Sequence, residues 1–76
     1  MENQTTNTQG LIIAALQSHF KAQRDEAVAG LSIYINNSVG IADHSGVIKE
    51  CVSLIRQVSD AEEQLRTLQS LFVRKD

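Results

Sequence analysis

Asp43 and His44 are the nearest approach to a chemical pair in this chain. A carboxylate beside an imidazole can orient the ring for proton transfer near neutral pH. The pair is adjacent in sequence, however, and no nucleophile–base arrangement accompanies it. Both residue types are typical of a helix start, so capping is the stronger reading, with contact at an exposed tip as the alternative. Cys51, the single cysteine, falls in an apolar row where a small side chain fits, and reads as an inert buried thiol. Close to a two-fold axis it would be placed to form an intersubunit disulfide on oxidation. His19 precedes Phe20 inside a helical stretch and reads as structural or surface, because no second ligand lies at metal-binding spacing. Glu62 and Glu63 share a helix with no Glu-x-x-His partner motif, which argues against a carboxylate-bridged metal pair. The sequence therefore predicts no catalytic, metal or cofactor-binding residues and no enzyme.

These residues are positioned by two long amphipathic stretches. Val47, Cys51, Leu54, Val58, Ala61, Leu65, Leu68 and Phe72 follow one another at alternating steps of four and three. That is a heptad seam; a strand would alternate every two residues. Ile48 and Ile55 widen the seam on one flank, while Glu62 and Gln69 border it and suit a role in register or partner choice. The pattern predicts a helix over residues 45–74. A second helix is predicted over residues 8–37, with Leu16, Phe20, Arg24, Ala27, Leu31 and Tyr34/Ile35 along its stripe and Ile12 and Ile13 at its start. Ala27 and Gly30 make the middle of that stripe thin, which lets a facing helix approach closely. Pairs four apart (Lys21 and Asp25, Arg56 and Asp60, Glu62 and Arg66) add weak support. Phe20, Tyr34 and Phe72 are the only aromatics. At this spacing they read as core, too dispersed to stack on bases.

Between the helices, Gly40 suits the residue that ends a helix, with Ile41 packing back on the last turn. Asp43, His44 or Ser45 then caps the second helix. A connection this short joins antiparallel neighbours. Residues 1–9 are polar and read as a flexible tail, capped where Thr6, Asn7 or Thr8 meets the first helix. That leaves residues 10–76 as a single helical-hairpin domain.

The chain has 76 residues, too few to bury a large core. With no disulfide or metal to staple it, oligomerisation or docking remains. The first helix carries more apolar groups (Ile12, Ile13, Val28, Ile33, Ile35) than one partner can cover. The predicted fold is an all-α, antiparallel helical hairpin completing a four-helix bundle by dimerisation. The association face would draw on Leu16, Phe20, Leu31, Leu54, Val58, Leu65 and Phe72, with the tip free for contacts.

Seven basic and nine acidic residues give a net charge of −2. Phosphate neutralisation needs clustered Lys and Arg, and the basic Arg74-Lys75 pair reads as a complement to a helix C-terminus. Nucleic-acid binding is thus disfavoured. A small nucleic-acid-associated regulator, working through assembled tails or the Lys21/Arg24 edge, is the alternative. No apolar run approaches membrane-spanning length, and the start of the chain has neither the basic opening nor the cleavage site of a signal peptide. The expectation is a cytoplasmic protein, and Asn36-Asn37-Ser38 is read as a chance sequon.

The segment Ile33-Tyr34-Ile35-Asn36-Asn37-Ser38-Val39-Gly40-Ile41-Ala42-Asp43-His44 precedes a helix containing Asp60-Ala61-Glu62-Glu63-Gln64-Leu65. It resembles a family of short helical proteins of myovirus-type tailed phages. Their middle reads roughly as an aliphatic helix end, then Asn-x-Val-Gly-Ile-Gly-Glu-His, then a second helix with an Ala-x-x-x-Leu pattern. The resemblance covers residues 27–68 and is most specific over residues 39–44. Ala42 stands where these proteins often have Gly, and Ser45 where they often have Pro. What the resemblance implies is a phage accessory protein, placed in the host cytoplasm, of a family without an assigned activity; it implies no mechanism. An unidentified host or phage protein would be its partner.

Overall fold

In a computed structural model of the chain, backbone is described for residues 4–37 and 44–73, and side chains for residues 8–36 and 46–73. Helix α1 spans Gln4–Asn37 and helix α2 spans His44–Leu68. One stretch of π-helix, Gln69–Val73, continues α2. There is no strand among the described residues. The protein is an all-α helical hairpin in which α1 and α2 run antiparallel along each other.

Helix α1 starts four residues ahead of the expected Thr8, inside the polar segment read as a tail. Once a helix is nucleated, each added residue gains a hydrogen bond, and Gln, Thr and Asn cost only a few tenths of a kcal/mol against Ala. No proline interrupts the extension. The other end of α1, Asn37, is where the sequence placed it. Gly40, Ile41 and Asp43 lie outside the described residues, as do Arg74, Lys75 and the side chain of His44.

The core is short and entirely apolar: Ala27, Leu54, Ala61, Leu65 and Leu68 are the buried residues among those described. Leu54, Ala61, Leu65 and Leu68 belong to the heptad row read from the sequence. Val47, Cys51 and Val58 of that row are half-buried. On α1 the facing row is Ile13, Gln17, Phe20, Arg24, Ala27, Leu31 and Tyr34, again at steps of four and three. Small residues set the separation. Ala27 and Ala61 are each 1% exposed, and a Cβ added at Gly30 would lie 3.5 Å from both terminal methyls of Leu54.

Phe72 leaves the row at the π-helical stretch. The i→i+5 ladder puts more residues into a turn than the α ladder does. A side chain four residues past Leu68 is therefore carried round the axis, away from the seam, and Phe72 is 61% exposed.

The molecule is one layer thick, measuring 60 × 25 × 15 Å. Its radius of gyration, 17.4 Å, far exceeds the ~11 Å of a compact domain of this length. Domains ordinarily bury their apolar faces between two packed layers. This hairpin supplies one.

Candidate interaction surfaces

The hairpin has two sides, and they differ chemically. One is polar in its middle, where Gln23 and Glu26 of α1 and Gln57, Asp60 and Gln64 of α2 line an open groove of about 240 Å³. Gln57 Nε2 donates a hydrogen bond to Ser53 Oγ, one turn earlier, at 3.3 Å. Glu26 and Asp60 bring two carboxylates to this groove without a histidine or thiol beside them. Among the described residues, no group of three His, Cys, Asp or Glu is placed to hold a metal ion.

The opposite side is apolar near the turn. Nine residues is two and a half helical turns, so residues nine apart lie on opposite faces. Ile35 stands nine from Glu26, Ile48 nine from Gln57 and Ile55 nine from Gln64. All three isoleucines thus face away from the polar groove. They are 64%, 62% and 52% exposed, and Val28 and Val52 beside them are also exposed. Together these five leave on the order of 500 Å² uncovered, near the top of what the largest patch on a monomer shows. Toward the open end the same rows turn polar, carrying Lys21 on α1 and Ser59, Glu62 and Arg66 on α2.

A second apolar region lies at the open end. Gln9, Ile12, Ile13, Leu16 and Phe72 line a cleft of about 370 Å³. A shallower depression of about 250 Å³ continues from it, lined by Leu16, Phe20, Leu68, Leu71, Phe72 and the polar Gln64 and Thr67. Leu71 and Phe72 enter this region because the π-helical stretch swings them there.

The residues singled out in the sequence are thus divided. Leu54, Leu65 and Leu68 are in the hairpin's own core, while Phe20, Leu31, Cys51 and Val58 are half-buried on its edges. Leu16 and Phe72 come together at the open-end cleft. Cys51 is a free thiol. His19 packs edge-to-face on Phe20, with ring centroids 5.4 Å apart at 69°, an arrangement favoured by the ring quadrupoles. Glu62 and Glu63 are both exposed, and as helical neighbours they project about 100° apart rather than converging. Asp25 pairs with Arg24, whose Nε donates to Oδ1 at 3.0 Å, rather than with Lys21 four residues away. The Arg24 stem stays in the α1 seam while its charged end turns outward.

Two features escaped the sequence reading. Gln17, not Leu16, continues the α1 seam, and Val52 joins Ile48 and Ile55 in a second row beside the α2 seam. The signal for Val52 was present, since 48, 52 and 55 repeat the four–three step. Among the described residues, no helix is long and apolar enough to cross a membrane. No family model, curated protein or solved structure matches the chain.

Proposed function

We propose that this is a non-enzymatic phage accessory protein that self-associates and acts by binding another protein. The partner belongs to the host machinery it redirects or to a phage component it helps assemble, and the work is done in the host cytoplasm. The observation that carries this reading is apolar surface left uncovered by a single chain. The accessible surface is 5915 Å², whereas a compact monomer of 8.4 kDa exposes only ~4,600 Å². The difference exceeds the ~800 Å² that each partner contributes to an ordinary stable interface.

The two apolar regions suit two kinds of contact. The face near the turn is broad and shallow, as helix-on-helix packing requires. The open-end cleft is an apolar hollow of about 370 Å³ lined by Ile12, Ile13, Leu16 and Phe72, with room for an apolar anchor side chain from a different protein.

Two measurements test the proposal. Light scattering over a concentration series is expected to show an oligomer that dissociates on dilution. Affinity capture from infected cells, run in parallel with a Phe72→Asp variant, is expected to recover a protein that the variant loses. A chain that stays monomeric at millimolar concentration and recovers the same proteins as its variant refutes both halves.

A further inference from the structure

We infer that the second copy of the chain docks on the apolar face near the turn, with the two hairpins side by side and their turns at the same end. This rests on the self-association proposed above and specifies its surface and orientation. The face consists of Val28, Leu31 and Ile35 on α1 and Ile48, Val52 and Ile55 on α2. Leu54, Leu65 and Leu68 are already covered inside the hairpin, so these neighbouring rows are what a second layer meets.

Three observations select a second copy as occupant and this orientation. The first is area. The uncovered patch, doubled across a two-fold axis, amounts to about 1,000 Å² of apolar surface, the level a specific interface must clear. The second is geometry: with one row on each of two antiparallel helices, a two-fold axis along the hairpin lays each helix of one copy over a helix of the other, which is how an isologous interface forms.

The third is charge, which decides the orientation. Lys21 lies one heptad before Val28 in the α1 row, and Glu62 one heptad after Ile55 in the α2 row. The contact between Gly30 and Leu54 fixes the levels of the two helices. Measured from it, Lys21 is nine residues and Glu62 eight residues toward the open end, so they sit at nearly the same height. A two-fold axis parallel to the hairpin lays α1 of one copy over α2 of the other. Lys21 then stands opposite Glu62 of the second copy, and Glu62 opposite Lys21 of the second copy. With the hairpins opposed, overlap is confined to the turn halves and both charges lie outside it. An exposed ion pair adds little affinity, but the same-end arrangement forms two of them and the opposed one forms neither, so charge complementarity favours turns at the same end.

Sedimentation equilibrium on the full chain, wild type against Ile48→Lys and Ile55→Lys, tests the face. Both side chains are more than half exposed, so the hairpin's own packing is untouched. The expected result is a dimer constant weakened by at least about 100-fold. A dimer of wild-type affinity in both variants overturns the face and leaves self-association standing. A wild-type monomer overturns both. Because a separated hairpin could lose helix, charge reversal provides an arm that leaves the apolar surface intact. Lys21→Glu is expected to weaken the dimer about tenfold, and adding Glu62→Lys to restore it. Absence of that rescue overturns the orientation. Spin labels on Leu11→Cys in a Cys51→Ser background give an independent reading. Turns at the same end put the labels roughly 30 Å apart, and opposed hairpins put them roughly 60 Å apart.

Discussion

Among the described residues, α1, 34 residues long, contributes one buried side chain, Ala27, whereas α2, 25 residues long, contributes Leu54, Ala61, Leu65 and Leu68. Apolar content does not explain this, because α1 carries Leu11, Ile12, Ile13, Leu16, Phe20, Val28, Leu31, Ile33 and Ile35. Their distribution does. In α2 the large apolar residues fall on two adjacent rows, so one partner covers the main row well. In α1 they surround the helix, and its facing row includes Gln17, Arg24 and the small Ala27. A hairpin rewards concentration of apolar groups on one face. A helix that is apolar on several sides is completed only by several neighbours, and here α1 has one.

Leu65→Asp gives the largest expected effect. Leu65 is 9% exposed and faces α1 at the heart of the α2 row. The substitution removes a buried aliphatic side chain and leaves a carboxylate without a partner, at a combined cost above about 4 kcal/mol. A chain of 76 residues holds a total stability of about 4–11 kcal/mol. The variant is expected to lose most of its helical circular dichroism and to dissociate in light scattering. A folded, assembled Leu65→Asp would show that the α2 row is not the seam.

The second prediction sets the two helices against each other. Leu54→Ala removes a 9% exposed side chain and is expected to cost about 2–4 kcal/mol in urea unfolding. Leu31→Ala, the same chemical change at a half-buried α1 position, is expected to cost about half as much in dissociated protein, where the unfilled space opens to water. Measured instead at concentrations where the chain associates, the two costs should converge, because a second copy covers Leu31. Equal costs in the monomer would erase the contrast between the helices.

Much of this was legible in the residues, for physical reasons. The α2 row from Val47 to Leu68 could be read because a heptad repeat on an uninterrupted helix maps directly onto one face. Phe72 continued the sequence pattern but not the geometry, since a change from α to π winding in Gln69–Val73 leaves no mark on apolar spacing. On α1, Leu16 outranks Gln17 by hydrophobicity, yet Gln17 continues the four–three step of Phe20, Arg24, Ala27 and Leu31 and is the more buried of the two. The step was legible along the helix, but a polar residue at that position hid it from a reading by apolar content. The apolar face near the turn was half visible. Ile48 and Ile55 stood out as a flank, whereas their alignment with Val28 and Ile35 emerged only once the antiparallel register was known.

The smallest effects come from two glycines inside helices, Gly10 and Gly30, and they probe that register directly. Glycine inside a helix costs about 0.5–1 kcal/mol against alanine through backbone entropy. A Cβ at Gly10 would meet nothing within 4 Å. Gly10→Ala therefore gains propensity alone, discounted because it lies near the end of α1, where the helix frays most easily. At Gly30 the Cβ would lie 3.5 Å from each Leu54 methyl, an ordinary van der Waals separation. Gly30→Ala is thus expected to gain the full propensity term plus a few tenths of a kcal/mol of dispersion, read as a higher urea midpoint with an unchanged slope. Were the helices closer than this hairpin has them, the added methyl would strike Leu54, and overpacking would reverse the sign to a loss of about 1–3 kcal/mol. Gly30→Ala more stable than Gly10→Ala places α1 and α2 at this separation; Gly30→Ala less stable than wild type places them nearer, with Gly30 held as glycine by the approach of Leu54.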